Sequence, residues 1–360
     1  MKKKFIILSF SFLILFGIFF NFLILYSLIL LIFALKLYSK FSYFKIIGVC
    51  IFFTFILFEI FNKQKEENNE YKIQSNIEYE INKDYGYHPK KNKIFNDKIF
   101  FKNELIKENF YTINEYGHRN IKNKNSNSKC IVLHGGSITF GQTLDDNENL
   151  PFLLKSVLDD DFNVFNYAFN GYGAHQFLSK IENEYIDEIK NCKKLFILYQ
   201  FIPDHIGRSA GKRSWGDKSP RYYIMDNNLI SSGFFSNFPY KILMKLRKNF
   251  RSSKVLNIFY KVDSTNSKDI QIFLKILLEI EKKVKQKFHD SEFVYILWDD
   301  MKNKDNDLKN FFSTRKKISI KDLNIKEEYI KNSIAGDNHP TKEFNVILAN
   351  NIKKIFENKK

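Results

Sequence analysis

A serine in a small-residue turn and a distant Asp-x-His pair are the residues of this chain best suited to nucleophilic chemistry. The block Ile131-Val-Leu-His-Gly-Gly-Ser137-Ile-Thr-Phe-Gly141 runs from an apolar strand pattern into a turn that presents one hydroxyl. Near the other end, Gly336-Asp337-Asn338-His339-Pro340 places a carboxylate and an imidazole ahead of an amphipathic segment. A serine needs a base to take its proton, and the base needs an orienting acid. Ser137 is therefore a candidate nucleophile.

The same block admits three other interpretations. An α/β-hydrolase elbow would have glycine two residues after the serine, where this chain has Thr139. A phosphate-binding P-loop is closer, because Gly136, Gly141 and Thr143 have the right spacing, but Gln142 stands where that loop needs lysine. The third alternative is a plain glycine turn between a strand and a helix, and the block by itself leaves it open.

Taken together, the short blocks resemble the SGNH (GDSL-type) hydrolase superfamily. They are Gly-Gly-Ser137-x-Thr-x-Gly, then Asn166-Tyr-Ala-Phe-Asn-Gly171-Tyr-Gly173, then the terminal Asp-x-His-Pro. Two upstream segments, 84–89 and 114–119, are similar to the lead-in of membrane-anchored bacterial members. The pattern covers about residues 80–360.

The resemblance implies a fold and a set of roles. The expected fold is a flavodoxin-like three-layer α/β/α sandwich with a parallel sheet. Ser137 would be the nucleophile, His339 its base and Asp337 the group that orients His339, and no cofactor would be needed. The backbone amides of Ser137 and Gly171 would form part of an oxyanion hole.

The chain departs from the family pattern in its third block, Tyr199-Gln-Phe-Ile-Pro203-Asp204-His205. The asparagine expected there, which would donate to the oxyanion, aligns with Pro203, and proline has neither a side-chain donor nor a backbone N–H. Either His205 or Gln200 supplies a replacement donor, or the oxyanion hole is weakened. We favour His205, because residues just beyond the carboxyl end of a parallel strand line the crevice.

Strand and helix patterns alternate from Cys130 onward, which favours a parallel α/β sheet. The predicted strands are 130–134, 163–168, 194–201 and 292–298, and the predicted helices lie near 149–158, 174–190, 267–287 and 342–357. Residues 71–128 read as irregular. The insertion 207–262 reads as a loop and a hairpin turning at 226–228, either a substrate cover or a peripheral addition.

Two N-terminal stretches, 5–35 and 46–61, are apolar enough to be membrane spans. The first is long for one helix and holds Asn21 near its centre, so a hairpin of two short helices is favoured, giving three spans. The alternative, a single tilted helix, would give two spans and conflict with the distribution of lysines. This divides the chain into a membrane region 1–62, a polar linker 63–79 and a hydrolase domain 80–360. The lysines at 2–4 and in the 36–45 loop favour the cytoplasm, which places the domain outside it.

The remaining composition excludes several classes. The net charge is +17, yet the excess is scattered lysine without a base-stacking pattern, so nucleic acid is not an expected partner. No His/Cys/Asp spacing indicates a metal site. His134 is expected to be buried and hydrogen-bonded, and His175 to lie on the surface. Cys130 and Cys192 are expected at the starts of neighbouring strands, where two free buried thiols are favoured and a disulfide is the alternative in an oxidising compartment.

The resulting expectation is a membrane-anchored serine esterase that hydrolyses an acyl or O-acetyl ester, with an acylated envelope carbohydrate or lipid as substrate. Two alternatives remain at the sequence level. An acyltransferase would use the same triad with a sugar hydroxyl in place of water, and a noncatalytic envelope scaffold would keep the fold without activity.

The topology can be tested with a reporter. A phosphatase that is active only outside the cytoplasm, fused after Lys360, should be active, because three spans export the C-terminal domain. The control is a fusion partner that works only in the cytoplasm, which should be silent at the same position. The reverse pattern would rule out three spans.

Overall fold

The structure of the protein is a computed structural model that describes residues 71–123, 129–183, 187–213, 215–252, 264–298, 305–320 and 339–357. The strands are β1 (Tyr71–Ser75), β2 (Tyr79–Asn82), β3 (Gly86–Pro89), β4 (Lys93–Phe101), β5 (Glu104–Ile113), β6 (Lys129–His134), β7 (Phe162–Asn166), β8 (Lys194–Phe201), β9 (Pro220–Met225), β10 (Asn228–Phe234), β11 (Ser291–Leu297) and β12 (Lys317–Ser319). The helices are α1 (Ser137–Phe140), α2 (Leu150–Val157), α3 (Ala174–Asn183), α4 (Asp204–Ser209), α5 (Tyr240–Ser252), α6 (Ser267–Lys287), α7 (Asn306–Ser313) and α8 (Lys342–Glu357), with a short 3₁₀ helix at Asp187–Ile189.

A five-stranded parallel sheet lies at the centre, in the order β12-β11-β8-β6-β7. Numbered along the chain, these strands have the order 2-1-3-4-5, which is that of flavodoxin-like folds. The four predicted strands are confirmed to within about two residues. The short fifth strand, β12, was not predicted.

Helices cover both faces of this sheet, because successive residues of a strand point to opposite sides. On β6, Ile131 and Leu133 pack with α2 and α8, whereas Val132 packs with α3 and α6. Helix α6 shows the local cause: its buried residues recur at helical spacing, and a capping box at Asn266 and Asp269 fixes its start. The three-layer expectation is met.

Cys130 and Cys192 form a disulfide, with their Cα atoms 5.7 Å apart. The prediction of two free thiols is therefore wrong. The residues do lie at the starts of the neighbouring strands β6 and β8, as expected, so the approach of the strands brings the sulfurs together. The bond closes a loop with a sequence separation of 62 residues, for which chain entropy gives roughly 4 kcal/mol of stabilisation.

The segment 71–128 was expected to be irregular, and its described part is not. Strands β1, β4 and β5 form an antiparallel sheet, and β2 pairs with β3. The second half of the predicted linker 63–79 is also ordered, because β1 lies within it and pairs with β4. The β4–β5 turn at Lys102 and Asn103 has positive φ at both residues, a hairpin turn whose sequence lacks the usual glycine.

Within the insertion, β9 and β10 form the predicted hairpin, and its turn at Asp226 and Asn227 again has positive φ.

The described residues 71–241 and 264–357 make one compact unit. Residues 242–252, the later part of α5, belong to a separate unit and form helix. The predicted membrane spans fall outside the described residues, and within those residues no helix is long and apolar enough to cross a bilayer.

Candidate active site

Ser137 lies in the turn after strand β6 of the parallel sheet and is the first residue of the short helix α1. The two glycines before it leave room for neighbouring side chains. A Cβ on Gly135 would lie 2.1 Å from Thr139 Oγ1, and a Cβ on Gly136 would lie 2.5 Å from Arg208 Nη1. A side chain at Gly135 would thus clash with Thr139, and one at Gly136 would displace the guanidinium of Arg208.

His339 reaches Ser137 from the far end of the chain. Its Nε2 lies 2.8 Å from Ser137 Oγ. Helix α8, which begins three residues later, sets this position through the buried residues Phe344, Leu348 and Ile352, which pack in the same core as α2. With a proton on Nδ1, the imidazole accepts the serine hydroxyl hydrogen, as a general base requires.

Asp337, the predicted partner of His339, lies outside the described residues. Its role therefore stays a prediction.

Two backbone amides near Ser137 are suited to an oxyanion hole. Ser137 opens α1, so its amide has no acceptor within that helix. The amide of Gly171 has no hydrogen-bond acceptor among the described residues. Gly171 has φ of +78°, and a Cβ there would lie 2.7 Å from Tyr87 Oη. Asn166, at the end of β7, ties this block to the nucleophile turn by donating to the carbonyl of Thr139 at 3.2 Å.

His205, the predicted third donor, is 1% exposed and lies behind Gly136. Its Nδ1 is 2.8 Å from Tyr199 Oη. Burial raises the pKa of Tyr199, so the phenol keeps its proton and can donate to Nδ1. Burial, followed by the charge of Arg208, lowers the pKa of His205 well below its usual value, so the ring is neutral. The remaining hydrogen then sits on Nε2.

The Nε2 atom of His205 has no hydrogen-bond partner among the described residues, and it lies 3.3 Å from where a Cβ of Gly136 would be. A buried donor without a partner is costly unless something else uses it. Gln200, the other candidate, accepts a hydrogen bond from Thr139 at its Oε1, and its Nε2 also has no hydrogen-bond partner among the described residues. These contacts do not separate the two candidates, and the role of His205 as a donor to the oxyanion stays a prediction.

Arg208 lies at the start of the insertion 207–262, which the sequence predicts as either a substrate cover or a peripheral addition, but no role was predicted for this residue itself. It lies on α4 one turn after Asp204, is 8% exposed and borders the same pocket as Ser137. Its Nε donates to Asp204 Oδ2 at 2.7 Å, and its Nη1 donates to the carbonyl of Tyr172 at 2.7 Å. The signal available in the sequence was the i, i+4 spacing of aspartate and arginine directly after β8.

Arg119, within the second lead-in segment, holds the loop that follows α1. Its side chain is fully buried and donates from Nη1 to the carbonyl of Gly141 and from Nη2 to that of Leu144, both at 3.0 Å. Burial lowers its pKa, and Asp146, whose Oδ1 is 3.2 Å from Nε, is the strongest opposing influence. Arg119 of the lead-in segment thus helps to fix the position of the loop that follows α1.

Around Ser137 is a pocket of about 430 Å³. Its wall combines Ser137 and Gly171 with exposed aromatic side chains: Tyr79 is 53% exposed and Trp215 is 50% exposed. Large aromatic rings facing solvent beside a polar site provide flat apolar surface for a ligand. We refer to this cavity as the Ser137 pocket.

Two other histidines differ from expectation. His134 is buried as predicted, but neither ring nitrogen has a hydrogen-bond partner among the described residues, and the ring stacks on Phe177 with centroids 4.1 Å apart. His175 is buried rather than on the surface, with Nδ1 3.3 Å from Ser209 Oγ. Burial lowers the pKa of His175 to about 3.

The described residues contain no cluster of His, Cys, Asp and Glu that could hold a metal ion.

Comparisons with known proteins give only a distant similarity. No protein-family model matches the chain, and no curated protein sequence matches it. Among solved structures, a carbohydrate esterase is 10% identical, with 81% of this chain and 98% of that chain covered and a TM-score of 0.36. An acetyl xylan esterase from the rumen bacterium Butyrivibrio proteoclasticus is 8% identical, with 80% and 87% covered and a TM-score of 0.35. At these scores the similarity carries no functional argument.

The role of His205 can be tested kinetically. If Nε2 donates to the developing oxyanion, His205→Ala should lower kcat by ~10²-fold or more with little change in KM, because that contact exists only in the transition state. Tyr199→Phe is the matched variant: it keeps the His205 ring but removes the hydroxyl that fixes its tautomer, so a smaller loss of kcat is expected. An unchanged kcat in His205→Ala would remove His205 from the oxyanion hole.

Proposed function

We propose that this protein is a serine ester hydrolase in which Ser137 is the nucleophile and His339 the general base. One observation carries the proposal: Ser137 Oγ lies 2.8 Å from His339 Nε2, although the two residues come from opposite ends of the domain. A hydroxyl and an imidazole at hydrogen-bond distance, beside two backbone amides that have no acceptor among the described residues, form the arrangement that acyl transfer needs.

The chemistry follows from these positions. Ser137 Oγ attacks the ester carbonyl as His339 Nε2 takes its proton, and the carbonyl oxygen becomes an anion held by the amides of Ser137 and Gly171. Collapse of this intermediate breaks the bond to the alcohol, which leaves with the proton from His339. Water then attacks the acyl-enzyme by the same route and releases the acid. Asp337 is proposed to hold the His339 ring in the correct tautomer.

We further propose an acyl or O-acetyl ester on an envelope carbohydrate or lipid as the substrate. The exposed rings of Tyr79 and Trp215 on the Ser137 pocket support a sugar, because aromatic faces pack against the C–H faces of pyranose rings. The envelope location rests on the apolar stretches 5–35 and 46–61, which are proposed to anchor the chain in the membrane with the domain outside the cytoplasm.

The proposal is tested by removing the nucleophile. Ser137→Ala should abolish turnover of p-nitrophenyl acetate, because it removes the hydroxyl that lies 2.8 Å from His339 Nε2. The circular dichroism spectrum and the melting temperature should stay as in the parent protein, since Ser137 is only partly buried and makes its side-chain contact with His339. Ser156→Ala, on the far helix α2, is the matched control and should keep full turnover. Hydrolysis by Ser137→Ala at the parent rate would contradict the assignment.

A further inference from the structure

Arg208 has hydrogen-bond donors left over after its structural contacts are made. Its Nε is engaged by Asp204, and one Nη1 hydrogen by the carbonyl of Tyr172. A guanidinium has five N–H donors. The second Nη1 hydrogen and both Nη2 hydrogens have no acceptor among the described residues, although the side chain is 8% exposed and borders the Ser137 pocket. Asp204 and Tyr172 thus hold the guanidinium in place and leave N–H donors on Nη1 and Nη2 without a partner in the described part of the chain.

The net charge around the guanidinium of Arg208, which we call the fork, is positive. Asp204 is shared by two arginines, with Arg208 Nε at 2.7 Å from Oδ2 and Arg213 Nε at 2.5 Å from Oδ1. Burial alone would raise the pKa of Asp204, but the two guanidinium groups outweigh it, so the pKa is lowered and the carboxylate stays ionised. One negative charge between two positive ones leaves an excess of one positive charge. Exposed Asp217 and Lys218 on the pocket rim offset each other.

The fork lies close to the reacting atoms. Arg208 Nη1 would be 2.5 Å from a Cβ on Gly136, the residue before the nucleophile. The distance between an anion bound to Arg208 and an ester bound at Ser137 would therefore be no more than the width of one sugar ring. The planar fork matches a carboxylate, which can accept two parallel hydrogen bonds from it.

We propose that Arg208 binds a carboxylate carried by the same sugar unit as the ester, so that the Ser137 pocket accepts an O-acylated uronic acid. This inference rests on the proposed function for the identity of the ester but not for the binding of the carboxylate. Arg208 is then a specificity-determining residue. A charged hydrogen bond in a sheltered pocket corresponds to roughly 10- to 100-fold in affinity.

Binding is measured in the Ser137→Ala chain, which holds the ligand without hydrolysing it. The two probes are an O-acetylated methyl glucuronide and the corresponding uronamide, with the acetyl group on the same hydroxyl. They have the same shape and differ in charge. By calorimetry the carboxylate should bind about 10-fold more tightly or better. Adding Arg208→Gln should remove this difference and leave the affinity for the uronamide unchanged.

Two further variants separate the local contact from general effects. Arg208→Lys keeps the charge but loses the fork, so it should retain only part of the preference. Arg221→Gln removes one positive charge outside the pocket, where Arg221 donates to Ser232 Oγ at 2.6 Å and stacks on Tyr240, and it should retain the full preference. Asp204 keeps Arg213 as its partner in each Arg208 variant, and melting curves show whether each variant is folded.

Several results would overturn the proposal. They are equal affinity for the two probes, no binding of either, or a preference that survives Arg208→Gln. Displacement of the glucuronide by inorganic phosphate as readily as by free glucuronate would reassign the fork to a tetrahedral anion. A loss of kcat on neutral p-nitrophenyl acetate in Arg208→Gln, with KM unchanged, would make Arg208 an oxyanion donor instead. If Ser137→Ala still hydrolyses esters, the proposed function fails while the binding result stands on its own.

Discussion

The hydrogen bond between Ser137 and His339 joins two residues 202 positions apart, and it depends on the order of the strands. Strand β6 lies between β7 and β8, so the chain builds the sheet first on one side of β6 and then on the other. The turn after β6 therefore opens at this topological switch point. Helix α8 packs against the face that also carries α2, which brings the residues before α8 to the same edge. A different strand order would separate His339 from Ser137.

The N-terminal antiparallel sheet has a structural part in the same arrangement. The loop after α1 is held by backbone and side-chain contacts from β4 and β5: Asp97 Oδ2 accepts from the amide of Thr143 at 3.0 Å, and Asp145 Oδ1 accepts from the amide of Phe110 at 2.6 Å. Buried Arg119 adds the two carbonyl contacts described above. Burying charges is costly unless they are hydrogen-bonded. Charged side chains that are buried and hydrogen-bonded to this loop therefore indicate that its position matters. The nucleophile turn is supported from both the central sheet and the N-terminal one.

The sequence predicted the parallel sheet well because its strands are continuous apolar runs of the kind that sheets buried on both faces require. Strand β8 and helices α6 and α8 were predicted with their observed bounds. The segment 71–113 escaped prediction because its strands are polar on one face and turn at Lys102 and Asn103 without glycine, which hides the hairpin. The disulfide escaped because spacing alone does not decide whether two neighbouring thiols are oxidised.

At the site, the residue types in the nucleophile turn and ahead of α8 indicated which side chains would meet, and the structure places Ser137 and His339 together. Arg208 could not be found in the same way, because its importance comes from the space left by Gly136 and the carbonyl of Tyr172, which are distant in sequence. His175 was misplaced because one polar ring at the start of a helix gives no sign of burial. Asp337 lies outside the described residues, so its part in the triad stays a prediction.

The most direct measurement is covalent labelling of the full chain with a fluorophosphonate probe, followed by mass spectrometry of the labelled peptide. Such a probe reacts with a serine only when a base has activated it. We expect a single phosphonylated residue, Ser137, and loss of labelling when His339 is replaced by alanine. Labelling that is absent from the folded parent protein, that falls on another serine, or that persists in His339→Ala would contradict an activated Ser137–His339 pair.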